Sequence, residues 1–114
     1  MTKTITLEGG KEVKLAANAA TPFRFKQLFG QDLLKLFKKS SENEEEQMAL
    51  GEVVTQMAFI MNRQAEGVNL NTVSMDDFFA WLEDYEAMDF IMASEEIINY
   101  YMASSLPTVE SKKK

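Results

Sequence analysis

In Thr21-Pro22-Phe23-Arg24-Phe25-Lys26-Gln27-Leu28-Phe29-Gly30-Gln31-Asp32-Leu33-Leu34-Lys35-Leu36-Phe37 the chain carries more large apolar side chains than one helical face can hold. Thr21 is a candidate N-cap, and Pro22 takes the first helical position, where its missing N–H costs nothing. At ~100° per residue, Phe25, Leu28, Phe29, Leu33 and Leu36 fall on one side, while Phe23, Leu34 and Phe37 fall on the other. Gly30 lies between the two groups. Either the helix breaks at Gly30 and a second begins near Asp32, or one helix over residues 22–38 is buried on both sides. Both arrangements ask for more apolar partner surface than an ordinary amphipathic helix. The plain alternative is the central helix of a small core.

Upstream, Thr4-Ile5-Thr6-Leu7, the turn signal Glu8-Gly9-Gly10-Lys11 and Glu12-Val13-Lys14-Leu15-Ala16 predict a β-hairpin over residues 4–16. Ile5, Leu7, Val13 and Leu15 are its expected buried face. A lone hairpin is marginal in water, so it must pack on helices or pair with another chain through its edge.

Downstream, Lys38-Lys39 suits a helix C-terminus, and Ser40 to Asn43 is a polar linker. Glu44, Glu45 and Glu46 favour the start of a helix over residues 44–66 that stops at Gly67. Leu50, Val53, Val54, Met57, Ile60, Met61 and Ala65 follow the spacing of its core face. Phe59 is expected on the polar side with Met48, among Glu52, Asn62 and Arg63, as a contact candidate. After a loop over Gly67 to Thr72, Ser74 caps a helix over residues 75–86, with Asp76 and Asp77 in its first turn and Phe78, Trp81, Leu82 and Tyr85 on one face. A last helix over residues 88–103 aligns Phe90, Ile97 and Tyr101, flanked by Ile91 and Ile98, and residues 107–114 are expected to be a flexible tail. The predicted architecture is α+β, mainly α, in one domain over residues 1–106: an N-terminal hairpin followed by a bundle of about four helices.

At 114 residues and 46% hydrophobic content the chain can bury a core without staples. It has no cysteine and no histidine, which removes disulfides, thiolate or imidazole metal sites and histidine-dependent nucleophiles. No apolar run approaches the ~20 residues of a membrane span, and the start shows no secretion signal, so a cytoplasmic protein without membrane contact is expected. An all-helical pyrophosphatase would hold magnesium between paired acids, and Glu42, Glu45, Glu86 and Asp89 can be fitted to that spacing. With 18 acids in 114 residues such pairs arise by chance. No enzyme, metal or cofactor is therefore expected.

The net charge of −6 is unevenly spread. Residues 1–39 hold eight bases and three acids, whereas residues 40–111 hold fifteen acids and the single base Arg63. Such a two-ended chain favours head-to-tail contact between copies or a partner of complementary charge. The expected self-association residues are Arg24, Lys26 and Lys35 on the basic side and Asp76, Asp77, Glu83 and Asp84 on the acidic side. Basic residues Arg24, Lys26, Lys35, Lys38 and Lys39 interleave with Phe23 and Phe25, yet a sequence pI near 4.7 opposes nucleic-acid binding. An acidic adaptor or DNA-mimic inhibitor of a host protein is the alternative that the charge leaves open.

The glycine-turned hairpin, then Ala19-Ala20-Thr21-Pro22-Phe23-Arg24-Phe25 and Phe29-Gly30-Gln31-Asp32-Leu33-Leu34, resembles the tail assembly chaperones of long-tailed, siphovirus-type bacteriophages that infect Gram-positive bacteria. Asp76-Asp77-Phe78-Phe79-Ala80-Trp81-Leu82 is similar to the aromatic helix late in those proteins. Together the similarity covers residues 4–103.

The resemblance implies a non-enzymatic protein of the host cell cytoplasm, absent from the mature virion. Its partner would be the tape measure protein, a long helical chain kept soluble while the tail tube polymerises around it. The tail tube protein would be met indirectly, or through a frameshift-extended form, and Lys112-Lys113-Lys114 is compatible with an A-rich slippery codon run. A gene lacking a slippery heptamer before the stop codon would remove that expectation. Homo-oligomers are expected. Phe23, Phe25, Leu34, Phe37 and Phe59 are the candidate partner-binding residues, and the excess apolar surface on Phe23, Leu34 and Phe37 offers a groove to a client helix that inserts residues at i, i+3, i+4 and i+7. Among the eight methionines, Met48, Met88, Met92 and Met102 lie off or at the margins of the core stripes and add adaptable apolar surface.

Overall fold

The computed structural model describes residues 2–32, 44–86 and 88–105, with the side chains of residues 44–50 and 104–105 outside the description. Strands β1 (Thr2–Thr6) and β2 (Glu12–Ala16) pair antiparallel, with Lys3 opposite Leu15, Thr4 opposite Lys14 and Ile5 opposite Val13. The turn is set by Gly10, at φ 92°, a left-handed conformation that a side chain would strain. Leu7 N–H donates to the Lys11 carbonyl and Gly10 N–H to the Leu7 carbonyl, both at 2.8 Å, as in a three-residue hairpin loop. Alternation along the strands then turns Ile5, Leu7, Val13 and Leu15 inward, and all four are buried.

Helix α1 runs from Thr21 to Phe29 and ends at Gly30, at φ 74°, whose N–H donates to the Lys26 carbonyl. Of the two arrangements open to this stretch, the break at Gly30 is the observed one, and the single helix over 22–38 is corrected. Leu33, Leu34, Lys35, Leu36 and Phe37 lie outside the described residues, as do the linker and the segment beyond residue 105. Thr21 is also not the cap. Ala20 holds that position without a side-chain bond, while the buried Thr21 hydroxyl accepts from Asn18 N–H at 3.0 Å and donates to Gln64 Oε1 at 3.1 Å. The bond to Gln64 fastens the start of α1 to the next helix.

That helix, α2 (Glu44–Ala65), is the centre of the molecule. Every residue from Met57 to Asn62 is buried, so this part of α2 has no solvent face. The reason is its neighbours: β2 and α1 pack on it, and so do α4 (Asp89–Met92) and α5 (Ser94–Ser105). The rings of α3 (Met75–Leu82) cover the remaining side, with Phe59 5.1 Å from Phe78 and 5.2 Å from Trp81 between ring centres. Gly51 permits the close approach of α4, because a Cβ there would stand 2.9 Å from Ile91 Cγ1.

The cap of α3 is as the sequence predicts. The Ser74 hydroxyl accepts from Asp77 N–H, and the Asp77 carboxylate accepts from Ser74 N–H at 2.8 Å. Two boundaries differ from expectation. Helix α3 stops at Leu82 instead of residue 86, and the helix expected over 88–103 is two pieces, interrupted at Ala93. The loop over 67–72 also contains a 3-10 turn, Leu70–Thr72. The chain is thus mainly helical, with an N-terminal hairpin laid against the central helix.

Candidate partner-binding surfaces

The packing sorts the five contact candidates sharply. Helix α1 turns Phe25 and Thr21 fully inward and leaves Leu28 and Phe29 half-buried, which places Phe23 on its outer face at 74% exposure. Phe25 is a core residue, its ring 5.1 Å from Phe29, and is corrected as a contact candidate. Phe59 is corrected as well. Expected on a polar side, it sits at the junction of α2 and α3 with 1% exposure, because the aromatic helix covers the face that the spacing assigned to solvent. Leu34 and Phe37 lie outside the described residues.

A second aromatic, not marked by the helical spacing, is also exposed. Phe79 is 55% exposed, with Met75 one turn earlier also exposed. Its neighbour Phe78 is buried, in edge contact with Phe29 at 5.0 Å, and the Phe78 and Phe79 rings lie 5.6 Å apart. The aromatic core therefore continues to the surface at Phe29 and Phe79. Adjacent helical residues point about 100° apart, and on α3 it is the direction of Phe78 that meets Phe29 of α1 and Phe59 of α2. Of the off-stripe methionines, Met88, Met92 and Met102 are exposed, and the side chain of Met48 lies outside the description.

Asn62, assigned to the polar side by its spacing, is a buried junction. Its amide donates to the Lys14 carbonyl of β2 at 2.9 Å, and its Oδ1 accepts from Trp81 Nε1 at 3.1 Å and from the Arg63 guanidinium at 2.6 Å. One side chain thus ties hairpin, central helix and aromatic helix, which is why a polar group is tolerated there.

Arg24 on the basic side and Asp77 and Asp84 on the acidic side line two clefts that share Val73. Arg24 donates to Gln27 Oε1 at 3.1 Å and to Asn71 Oδ1 at 2.6 Å, in a cleft that Leu28 and Val73 also line. Val73 is shared with an open groove of about 420 Å³ whose walls include Arg63, Asp77, Trp81 and Asp84. Lys26, Asp76, Glu83 and Asp84 are exposed, Asp77 is engaged in the cap, and Lys35 lies outside the described residues. The Asp84 carbonyl accepts from the Lys11 ammonium, which also stands 4.8 Å from the centre of the Tyr85 ring. Burial, and then the neighbouring Asp84 charge, push the Tyr85 phenol above its ordinary value of 10.0, so it is neutral at physiological pH.

Among the described residues no group of acids is placed to hold a metal ion, and no helix is long and apolar enough to cross a membrane. Of the acids fitted to a magnesium site, Glu42 and the Glu45 side chain lie outside the description, while Asp89 accepts from Glu86 N–H at 2.9 Å in a local turn. Compared with family models, curated proteins and solved structures, the chain matches none.

Proposed function

We propose that this protein is a tail assembly chaperone of a long-tailed bacteriophage: it binds the tape measure protein in the host cytoplasm, keeps it soluble and assists tube assembly around it, without catalysis. The observation that carries the proposal is the pair of large aromatic side chains, Phe23 and Phe79, left exposed on helices whose inward faces are already filled. Neither ring is needed to complete the core. With Met75 they supply flat and adaptable apolar surface, the kind that accepts the ridges of an amphipathic client helix. The resemblance of residues 4–103 to the tail assembly chaperones supplies the identity of that client.

Copies aligned on a long client would also meet one another, with Arg24 and Lys26 of one facing Asp76, Glu83 or Asp84 of the next. Raising the ionic strength weakens such a contact, and a client-bound assembly whose size is indifferent to salt would count against it.

Co-expression with the tape measure protein of the same genome tests the function. The chaperone reading expects the client to stay soluble and to co-purify with this chain. A folded chain beside an insoluble client would instead favour an acidic adaptor directed at a host protein.

A further inference from the structure

The two edges of the hairpin differ. The turn bonds make Leu7 and Lys11 a hydrogen-bonded pair, and in an antiparallel ladder such pairs alternate with non-bonded ones. Ile5–Val13 and Lys3–Leu15 therefore exchange the bonds within the hairpin. The N–H and C=O groups of Thr2, Thr4 and Thr6 point away from β2, and those of Glu12, Lys14 and Ala16 point away from β1. The β2 side confirms this geometry and is covered, since the Lys14 carbonyl accepts from the Asn62 amide at 2.9 Å. On the β1 side, among the described residues, no strand pairs with Thr2–Thr6.

We infer that β1 is a docking edge for a second copy of this chain, pairing antiparallel with its own counterpart about Thr4 to give a four-stranded sheet across a two-fold axis. Thr2-Lys3-Thr4-Ile5-Thr6 is self-complementary in that register. Thr4 faces Thr4 of the partner, and Thr2 faces its Thr6. The three threonines that carry the outward backbone groups thus meet one another, each pair exchanging both N–H···O bonds. Their exposed side chains form β-branched cross-strand pairs on the solvent face. Lys3 faces Ile5 of the partner on the opposite face.

Of the usual guards of a free edge, β1 has no proline and carries one charge, Lys3, on the same face as Ile5. That charge is offset, because the Lys3 ammonium lies 3.5 Å from the Glu96 carboxylate. Beside it an open groove of about 620 Å³ runs between the start of β1 and α5, lined by Lys3, Met92, Glu95, Glu96 and Asn99. Met92 is 61% exposed and gives the second copy apolar surface to cover. Short strands pairing by their edges bury less than the roughly 1,200 Å² of a stable interface, so the dimer forms reversibly as concentration rises. This contact is independent of the client proposal and, resting on main-chain bonds, is insensitive to salt.

Analytical ultracentrifugation of the full chain across a concentration series tests it, with Thr4→Val and Thr4→Pro beside the unchanged protein. Proline at Thr4 removes an outward N–H and no bond of the hairpin itself, a position where edge strands accept it. A monomer–dimer equilibrium is expected, retained in Thr4→Val and weakened about tenfold or more in Thr4→Pro as the central pair of bonds is lost. Amide hydrogen exchange on the unchanged protein supplies a second readout. The N–H groups of Thr2, Thr4 and Thr6 should gain protection with concentration, while those of Lys3 and Ile5 are protected throughout. A monomer at all concentrations, or a dimer in which the Thr4 amide exchanges freely, overturns the inference.

Discussion

Phe59 and Phe23 both stand off the apolar stripe that the spacing assigns to their helices, yet one is at the centre of the molecule and the other is, among the described residues, the most exposed large hydrophobic side chain. The difference lies in what surrounds each helix. Helix α2 is packed on by the hairpin, α1, α4 and α5, and its last open side is closed by Phe78 and Trp81. Helix α1 has one packed face, holding Phe25, and nothing among the described residues fills the opposite one. A helical wheel reports direction, and only the neighbours decide whether that direction is solvent.

The largest effect expected from this contrast is at Phe59. Phe59→Ala removes a ring shared by Phe78 and Trp81 and should cost about 3–5 kcal/mol in denaturant unfolding, against almost nothing for Phe23→Ala. Asn62→Ala comes next. It strands Trp81 Nε1 and the Lys14 carbonyl without their partner, and a loss of about 2–4 kcal/mol is expected in the same measurement. A smaller loss would mean that water replaces the amide.

Gly51→Ala is expected to destabilise by about 1–2 kcal/mol, the overpacking against Ile91 outweighing alanine's better helix propensity. In an Ile91→Ala background that loss should vanish, a coupling that a double-mutant cycle reads directly. The smallest effect belongs to Tyr85 at the margin of the aromatic core, where it contacts Trp81 and Phe90. Because its pKa is raised in the folded chain, its stabilisation is complete below the unfolded value of 10.0 and is lost as pH rises through the folded one. Tyr85→Phe should flatten that alkaline decline in a pH series of unfolding curves.

Local rules were legible wherever the partner was close in sequence. The inward set Ile5, Leu7, Val13 and Leu15 follows from alternation, and the Ser74–Asp77 box from capping chemistry. The spacing also marks Val53, Val54, Met57, Ile60 and Met61 as core, and all are buried. What failed needed tertiary knowledge. Asn62 and Phe59 look solvated until α3 is laid across them, and Thr21 looks like a cap until Gln64 reaches its hydroxyl. The break at Ala93 had no glycine or proline to announce it. Of the two exposed aromatics, Phe23 was visible as an apolar residue on the wrong side of its helix. Phe79 was masked by the aromatic run in which it sits.

On the proposed function, the outer aromatics serve a partner and the inner ones the fold. This is tested most directly by Phe23→Asp and Phe79→Asp, each measured for its unfolding midpoint and for retention of the co-expressed tape measure protein. Midpoints that correspond to a stability change of no more than about 0.5 kcal/mol, with the client lost to the insoluble fraction, are the predicted result. Full retention by both folded variants would contradict it.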